Sequence, residues 1–162
     1  MWGVCGVLAL LGLASYSLIL VTFEAFDHPF DWRHWSLLVV NMMFMAYAEG
    51  YRGFQKNYSP RVAARAKCLL KAPTLFAAIL APVFCMSYFH TTRRRLISTY
   101  VLTAAIIALI VLFQYLSQPW RGILDAGVVV GLIWGMVSIV PFALRAFFDG
   151  TFDYSPELPS QC

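Results

Sequence analysis

The stretch WGVCGVLALLGLASYSLILVTF, from Trp2 to Phe23, runs for 22 residues without a charged side chain. A hydrophobic run of about 18 or more residues is long enough to cross the hydrocarbon core of a bilayer as an α-helix. A secretory signal would place a basic segment before a shorter apolar core of about 7–15 residues, and this run has neither feature. We therefore expect a retained transmembrane helix in an integral membrane protein.

The composition of the whole chain agrees with this expectation. Only 12% of the 162 residues are charged and 60% are hydrophobic, whereas a soluble domain carries about 25% charged residues. Because so little charge cannot coat a soluble globule, the net charge of +4 indicates membrane topology rather than nucleic-acid binding. The four cysteines have no CxxC spacing, so neither a metal site nor a redox site is predicted.

Four further hydrophobic segments follow, and the sequence predicts an all-α polytopic membrane bundle with five hydrophobic helices. The later segments cover residues 35–49, 72–89, 96–116 and 123–148. We expect residues 1–148 to form one transmembrane helical domain and residues 149–162 to form a short, acidic, disordered tail.

Two rules disagree about the segment of residues 72–89. Its length favours a fifth span, but the Lys and Arg residues then divide seven to five between the two sides. A re-entrant segment with four spans would place ten of the twelve on one side, as the positive-inside rule prefers. We expect five spans, with the four-span arrangement as the alternative. Both arrangements place the N-terminus and the loop of residues 52–71 in the cytoplasm, and the compact loops suit a bacterial inner membrane.

Three glycines in the last hydrophobic segment form a GxxxGxxxG stripe. Gly127, Gly131 and Gly135 are four residues apart, so they share one face of a helix. Glycines at this spacing allow a second helix backbone to approach closely inside a membrane. The stripe predicts helix packing, either within the chain or between this chain and another membrane helix.

A polar group of residues lies in and after the second segment. Asn41 falls near its middle, and Glu49 stands three residues before Arg52. One interpretation is an interhelical hydrogen bond from Asn41 and an interfacial Glu49–Arg52 ion pair. The other is a proton or cation site inside the bundle, because intramembrane ionisable residues are often functional.

Basic residues near the predicted membrane surface are candidates for binding anionic lipid head groups. The helix that begins at Ser59-Pro60 carries Arg61 and Arg65 on one face, and Arg93 to Arg95 precede the fourth segment. Basic amphipathic segments and juxtamembrane clusters bind anionic membrane surfaces. The bilayer itself, and other membrane helices or further copies of this chain, are therefore the expected partners.

The motifs of common enzyme classes are missing from the sequence, which favours no enzymatic activity, no cofactor and no catalytic residue. We therefore expect an accessory or assembly subunit that acts through glycine-mediated helix packing. The first alternative is a small oligomeric transporter or channel that uses Glu49. The second is a lipid-acting membrane enzyme whose basic loops hold head groups.

Overall fold

The computed structural model describes residues 2–71, 79–89, 91–148 and 154. These residues form helices joined by short connections, and no β-strand occurs among them. The all-α prediction is therefore confirmed. The predicted tail, residues 149–162, lies outside the described residues apart from Tyr154.

Six α-helices and one π-helical segment make up this part of the chain. They are α1 (Trp2–Phe26), α2 (Trp32–Met45), π1 (Ala46–Tyr58), α3 (Ser59–Lys71), α4 (Ala81–Cys85), α5 (Arg93–Gln114) and α6 (Trp120–Phe148).

Three of these helices, α1, α5 and α6, are long and apolar enough to cross a membrane. The second predicted span begins in α2, which has 14 residues, fewer than the roughly 20 that a span needs. In the third predicted segment, residues 72–78 lie outside the described residues, and α4 has only 5 residues. The prediction of five spans is therefore not confirmed.

The second helical region is longer than its apolar part. Helix α2 continues without a break through π1 into α3, although the sequence predicts a loop from residue 52. At the start of α2, the backbone N–H of Asp31 donates to Nδ1 of His34 at 3.1 Å, which is one half of a capping box.

Helix α6 is the centre of the bundle, and α1 packs against it in the opposite direction. Gly122, near the start of α6, lies against Ala25, near the end of α1. Ile139, near the end of α6, shares a buried cluster with Val4 and Val7 at the start of α1.

The combined helix α2–π1 packs on α6, and the two helices run in the same direction. Asn41 in α2 lies against Gly127, and Phe54 in π1 lies against Gly135. Residue numbers therefore rise together along the two packed helices.

Helices α3 and α4 lie at the end of the bundle where α1 begins. Val62 and Ala66 of α3, and Phe84 and Cys85 of α4, belong to the same buried cluster as Val4. These two helices, which lie between π1 and α5 in the sequence, are thus at the same end of the bundle.

Helix α5 stands apart from the others. It is described over its whole length and none of its residues is buried. The Tyr88 hydroxyl forms a hydrogen bond with the Thr103 hydroxyl at 2.8 Å, and the Tyr88 ring packs edge-on against Tyr100. The apolar side chains of α5 are therefore exposed or half-buried along the whole helix.

Candidate functional site

The glycine stripe of α6 packs inside the chain, against α2 and π1. Gly127, Gly131 and Gly135 are all buried. A β-carbon added at Gly131 would lie 2.8 Å from Oε2 of Glu49, and one added at Gly135 would lie 2.6 Å from the Phe54 ring. Only glycine permits this approach, so this face of α6 is already occupied and is not a free surface for another protein.

The contact is reciprocal, because π1 contributes a glycine of its own. Gly50 is buried, and a β-carbon there would lie 2.8 Å from Cγ of Trp134. The Trp134 indole reaches across π1, where its Nε1–H donates to Oε1 of Gln55 at 2.9 Å. Glycine on each helix thus receives a larger side chain from the other.

The π-helical geometry explains which residues face the stripe. Asn41, Met45 and Glu49 follow one another at intervals of four, as do the glycines, whereas Phe54 comes five residues after Glu49. A π-helix forms i→i+5 hydrogen bonds and is wider than an α-helix. The wider turn therefore keeps Phe54 on the face that Glu49 occupies.

Glu49 lies on this packed face, and its carboxylate lies against Gly131. The side chain is half-buried. Among the residues that the structure describes, none forms a hydrogen bond or an ion pair with its carboxylate. Gly131 is the twelfth of the 29 residues of α6, so Glu49 lies beside the middle part of that helix rather than beside an end.

Arg52 does not join Glu49 in this arrangement. Its side chain is exposed, and no ion pair connects the two residues, both of which are described. The interpretation of Glu49 as half of an interfacial ion pair is therefore wrong. The physical reason is that Glu49 faces α6 while Arg52, three residues later in the wider π-helix, points away from it.

Asn41 forms the interhelical hydrogen bond that its position allows. Its Nδ2 donates to the carbonyl oxygen of Ile123 at 2.8 Å and lies 3.4 Å from that of Leu124. This bond joins α2 to the first turns of α6. Asn41 and Glu49 thus contact the same glycine face, about two helical turns apart.

A second acid of α6 is paired. Asp125 is buried and its Oδ2 lies 3.7 Å from Nε of Arg121, one turn earlier. The carboxylates of Asp125 and Glu49 therefore differ, because Asp125 has a guanidinium beside it and Glu49 does not.

The basic residues proposed for head groups do not form one surface. Arg65 is 0% exposed. It donates to the carbonyl oxygens of Phe84 and Phe89, both at 2.7 Å, and its guanidinium lies 4.3 Å from the centre of the Phe84 ring. Arg65 therefore ties α3 to the region of α4, and it is not available to a head group.

The other four basic candidates are at least partly accessible. Arg61 donates from Nε to the carbonyl oxygen of Asn57, in the preceding turn. Arg93 and Arg94 are exposed in the first turn of α5, and Arg95 beside them is half-buried. These positions remain compatible with contact to lipid head groups.

Sequence reasoning missed three parts of this site: Phe54, the Gly50–Trp134 contact and the burial of Arg65. Phe54 falls outside the α-helical spacing that connects Asn41 to Glu49, so a period of 3.6 could not find it. Gly50, directly after Glu49, was a usable signal for the contact with Trp134, because a buried glycine marks close backbone approach. Nothing in the local sequence separates Arg65 from Arg61.

No protein-family model, curated protein or solved structure matches this chain.

Proposed function

We propose that this protein is a small transporter or channel that binds a proton or a monovalent cation at Glu49. One observation carries the proposal: the Glu49 carboxylate lies against Gly131 in the middle part of α6, without an ion-pair partner among the described residues. An ionisable group inside the hydrocarbon region is costly, so its presence there suggests a functional role.

The depth of Glu49 supports this proposal. Gly131 comes 11 residues after Trp120 and 14 before Arg145, distances of about 16 and 21 Å along an α-helix. Tryptophan and arginine at the two ends of a span are typical of the two membrane interfaces. Since the hydrocarbon core is about 30 Å thick, Glu49 would lie inside it, and the exposed Arg52 and Lys56 later in π1 would extend their charged ends towards the nearer interface.

The directions of the helices support a four-span arrangement rather than five spans. With five spans, the second and the last would cross in opposite directions, but α2–π1 and α6 run in the same direction. Four spans, formed by α1, α2–π1, α5 and α6, give parallel second and last spans. In this arrangement α3 and α4 stay on the side where α1 begins, and the second span includes Glu49.

This arrangement also concentrates the basic residues. When each basic residue is assigned to the nearer end of its helix, ten of the twelve Lys and Arg residues fall on the side where α1 begins, including Arg52 and Lys56 of π1, with Arg33 and Arg121 opposite. The positive-inside rule makes the basic side cytoplasmic, as the compact loops suggest for a bacterial inner membrane. Cys68 is disulfide-bonded, which favours the opposite orientation because disulfides persist mainly in oxidising compartments. We propose that the basic side is cytoplasmic, because the imbalance of ten basic residues to two is a stronger indication than the single disulfide.

A second candidate function, an accessory or assembly subunit, is favoured by α5. This helix has no buried residue along its length, and Ala104 and Ala108 on it have the small-xxx-small spacing found where membrane helices associate. The glycine stripe gives this candidate no support, because α2 and π1 already occupy it. The docking element would therefore be α5.

Complementation distinguishes the two functions without knowledge of the substrate. In a strain that lacks the gene, we expect Glu49→Gln to restore no function at matched expression, because the neutral amide cannot take up or release a proton or hold a cation. Glu24→Gln is the matched control, since Glu24 is an exposed acid in α1. If Glu49→Gln complements as fully as Glu24→Gln, the transport proposal is wrong and the accessory function is favoured.

A further inference from the structure

We propose that the ligand of Glu49 is a proton rather than a metal cation, so that the resting side chain is a neutral carboxylic acid packed on Gly131. This inference rests on the proposed function and specifies the ligand of the same site.

On its own helix, Glu49 has no cation directed towards it. Arg52 and Lys56 are both exposed, and Nζ of Lys56 lies 4.8 Å from the centre of the Tyr51 ring. Met45, one turn earlier, faces the glycine stripe beside Glu49. The helix that carries the carboxylate therefore offers no charge to balance it.

On α6, the helix that packs against it, the charged residues are remote. No titratable residue occurs between Asp125 and Arg145, and Gly131 comes 6 residues after Asp125 and 14 before Arg145. Asp125 itself is paired with Arg121. An ionised Glu49 would therefore be an uncompensated charge, which is costly inside a bilayer.

Helix α1 packs on α6 as well, and its titratable side chains point elsewhere. Cys5, Tyr16 and Glu24 are all exposed. Helix α3 begins ten residues after Glu49, and Arg65 there is directed to the carbonyl oxygens of Phe84 and Phe89. None of the described elements around the site supplies a countercharge.

The site also lacks the oxygen ligands of a metal ion. Hard cations are held by about six oxygen atoms, whereas the stretch of α6 from Gly127 to Gly135 has no side-chain oxygen. Its backbone carbonyls belong to a continuous helix. In the described part of the chain, no group of three or more His, Cys, Asp and Glu residues could hold a metal. A proton needs only the carboxylate itself.

Proton binding and proton release at Glu49 are the two directions of one exchange with water. The carboxylate takes up a proton from water and becomes a carboxylic acid, and the acid returns the proton to water when it ionises. The neutral acid removes the charge that the surroundings cannot balance. Protonation is therefore the state that allows Glu49 to pack on Gly131.

A lipid-soluble carbodiimide tests this inference on the full chain in lipid nanodiscs. The reagent adds across the O–H of a protonated carboxyl group, rearranges to a stable N-acylurea and leaves a carboxylate unmodified. Near neutral pH, a glutamate with the ordinary pKa of about 4.3 is protonated in only about one molecule in 500, so we expect labelling at Glu49 to exceed that at Glu24 by more than about a hundredfold. Glu49→Gln should remove the Glu49 adduct, as peptide mass spectrometry would detect.

Two results would overturn the inference. One is the absence of labelling at Glu49 from acidic to alkaline pH, which would mean that the carboxylate is ionised throughout. The other is that sodium or lithium chloride protects Glu49 from labelling while choline chloride at equal ionic strength does not, which would identify a metal cation as the ligand. Labelling together with full complementation by Glu49→Gln would contradict the proposed transport function and leave the proton site standing.

Discussion

At the scale of single residues, the contact between Glu49 and Gly131 determines how the molecule is interpreted. The GxxxGxxxG spacing predicted a close helix approach, because four-residue intervals place the glycines on one face. The spacing could not predict the partner, since any helix can use such a face. That Glu49 is the residue at Gly131 follows only from how α2 and π1 pack on α6.

A bulky side chain at Gly131 should separate the two helices. We expect Gly131→Ile to lower stability by about 1–3 kcal/mol, the usual cost of overpacking, because its side chain would meet the carboxylate of Glu49. Val130→Ile is the control, since Val130 lines an open groove beside Trp134 and Pro141. Thermal melts in detergent compare the two, and equal melting temperatures would mean that the stripe is not a packing surface.

At the scale of elements, π1 is the part that the sequence did not reveal. Glu49, Arg52 and Lys56 look locally like the polar end of a span, which is why a loop was predicted after residue 49. The helix continues because one of its faces packs on α6, and packing of this kind outweighs local propensity. The charged residues Arg52 and Lys56 then lie on the outer face.

The register of π1 can be tested by an insertion. One alanine inserted after Gly53 would place Phe54 six residues after Glu49, an interval that neither an α-helix nor a π-helix returns to one face, so Phe54 should leave Gly135 and we expect a lower melting temperature. Gly53→Ala keeps the register, and a β-carbon there would meet only the carbonyl oxygen of Ala48, at 3.4 Å. The alanine variant should therefore be as stable as the natural protein or more stable by up to about 1 kcal/mol, because alanine has a higher helix propensity than glycine. An insertion variant that melts like Gly53→Ala would contradict the role of this register.

At the scale of the whole molecule, the all-α class and three long apolar helices could be predicted from hydrophobic runs alone. The arrangement of the third predicted segment could not, because length and charge distribution gave opposite answers. Helix direction is the information that was missing: it depends on which residues of α2 meet which glycines of α6. The position of Glu49 depends on that same register.

Cysteine labelling in intact cells tests the four-span arrangement. In a background without the natural cysteines, we expect an impermeant maleimide to label Asp27→Cys and to leave Asn57→Cys and Arg94→Cys unlabelled. Five spans would instead expose Arg94→Cys on the side of Asp27→Cys. Labelling of both Asn57→Cys and Arg94→Cys, with Asp27→Cys protected, would mean that the orientation is inverted, as the disulfide of Cys68 would favour.

Proton movement through the purified protein tests the central claim most directly. The full chain is reconstituted into liposomes that contain a pH-sensitive dye, and a potassium diffusion potential drives protons inwards. We predict rapid acidification of the liposome interior with the natural protein and with Glu24→Gln. With Glu49→Gln, we predict acidification no faster than in protein-free liposomes. Equal rates for the natural protein and Glu49→Gln, or no flux above protein-free liposomes for either, would contradict the account.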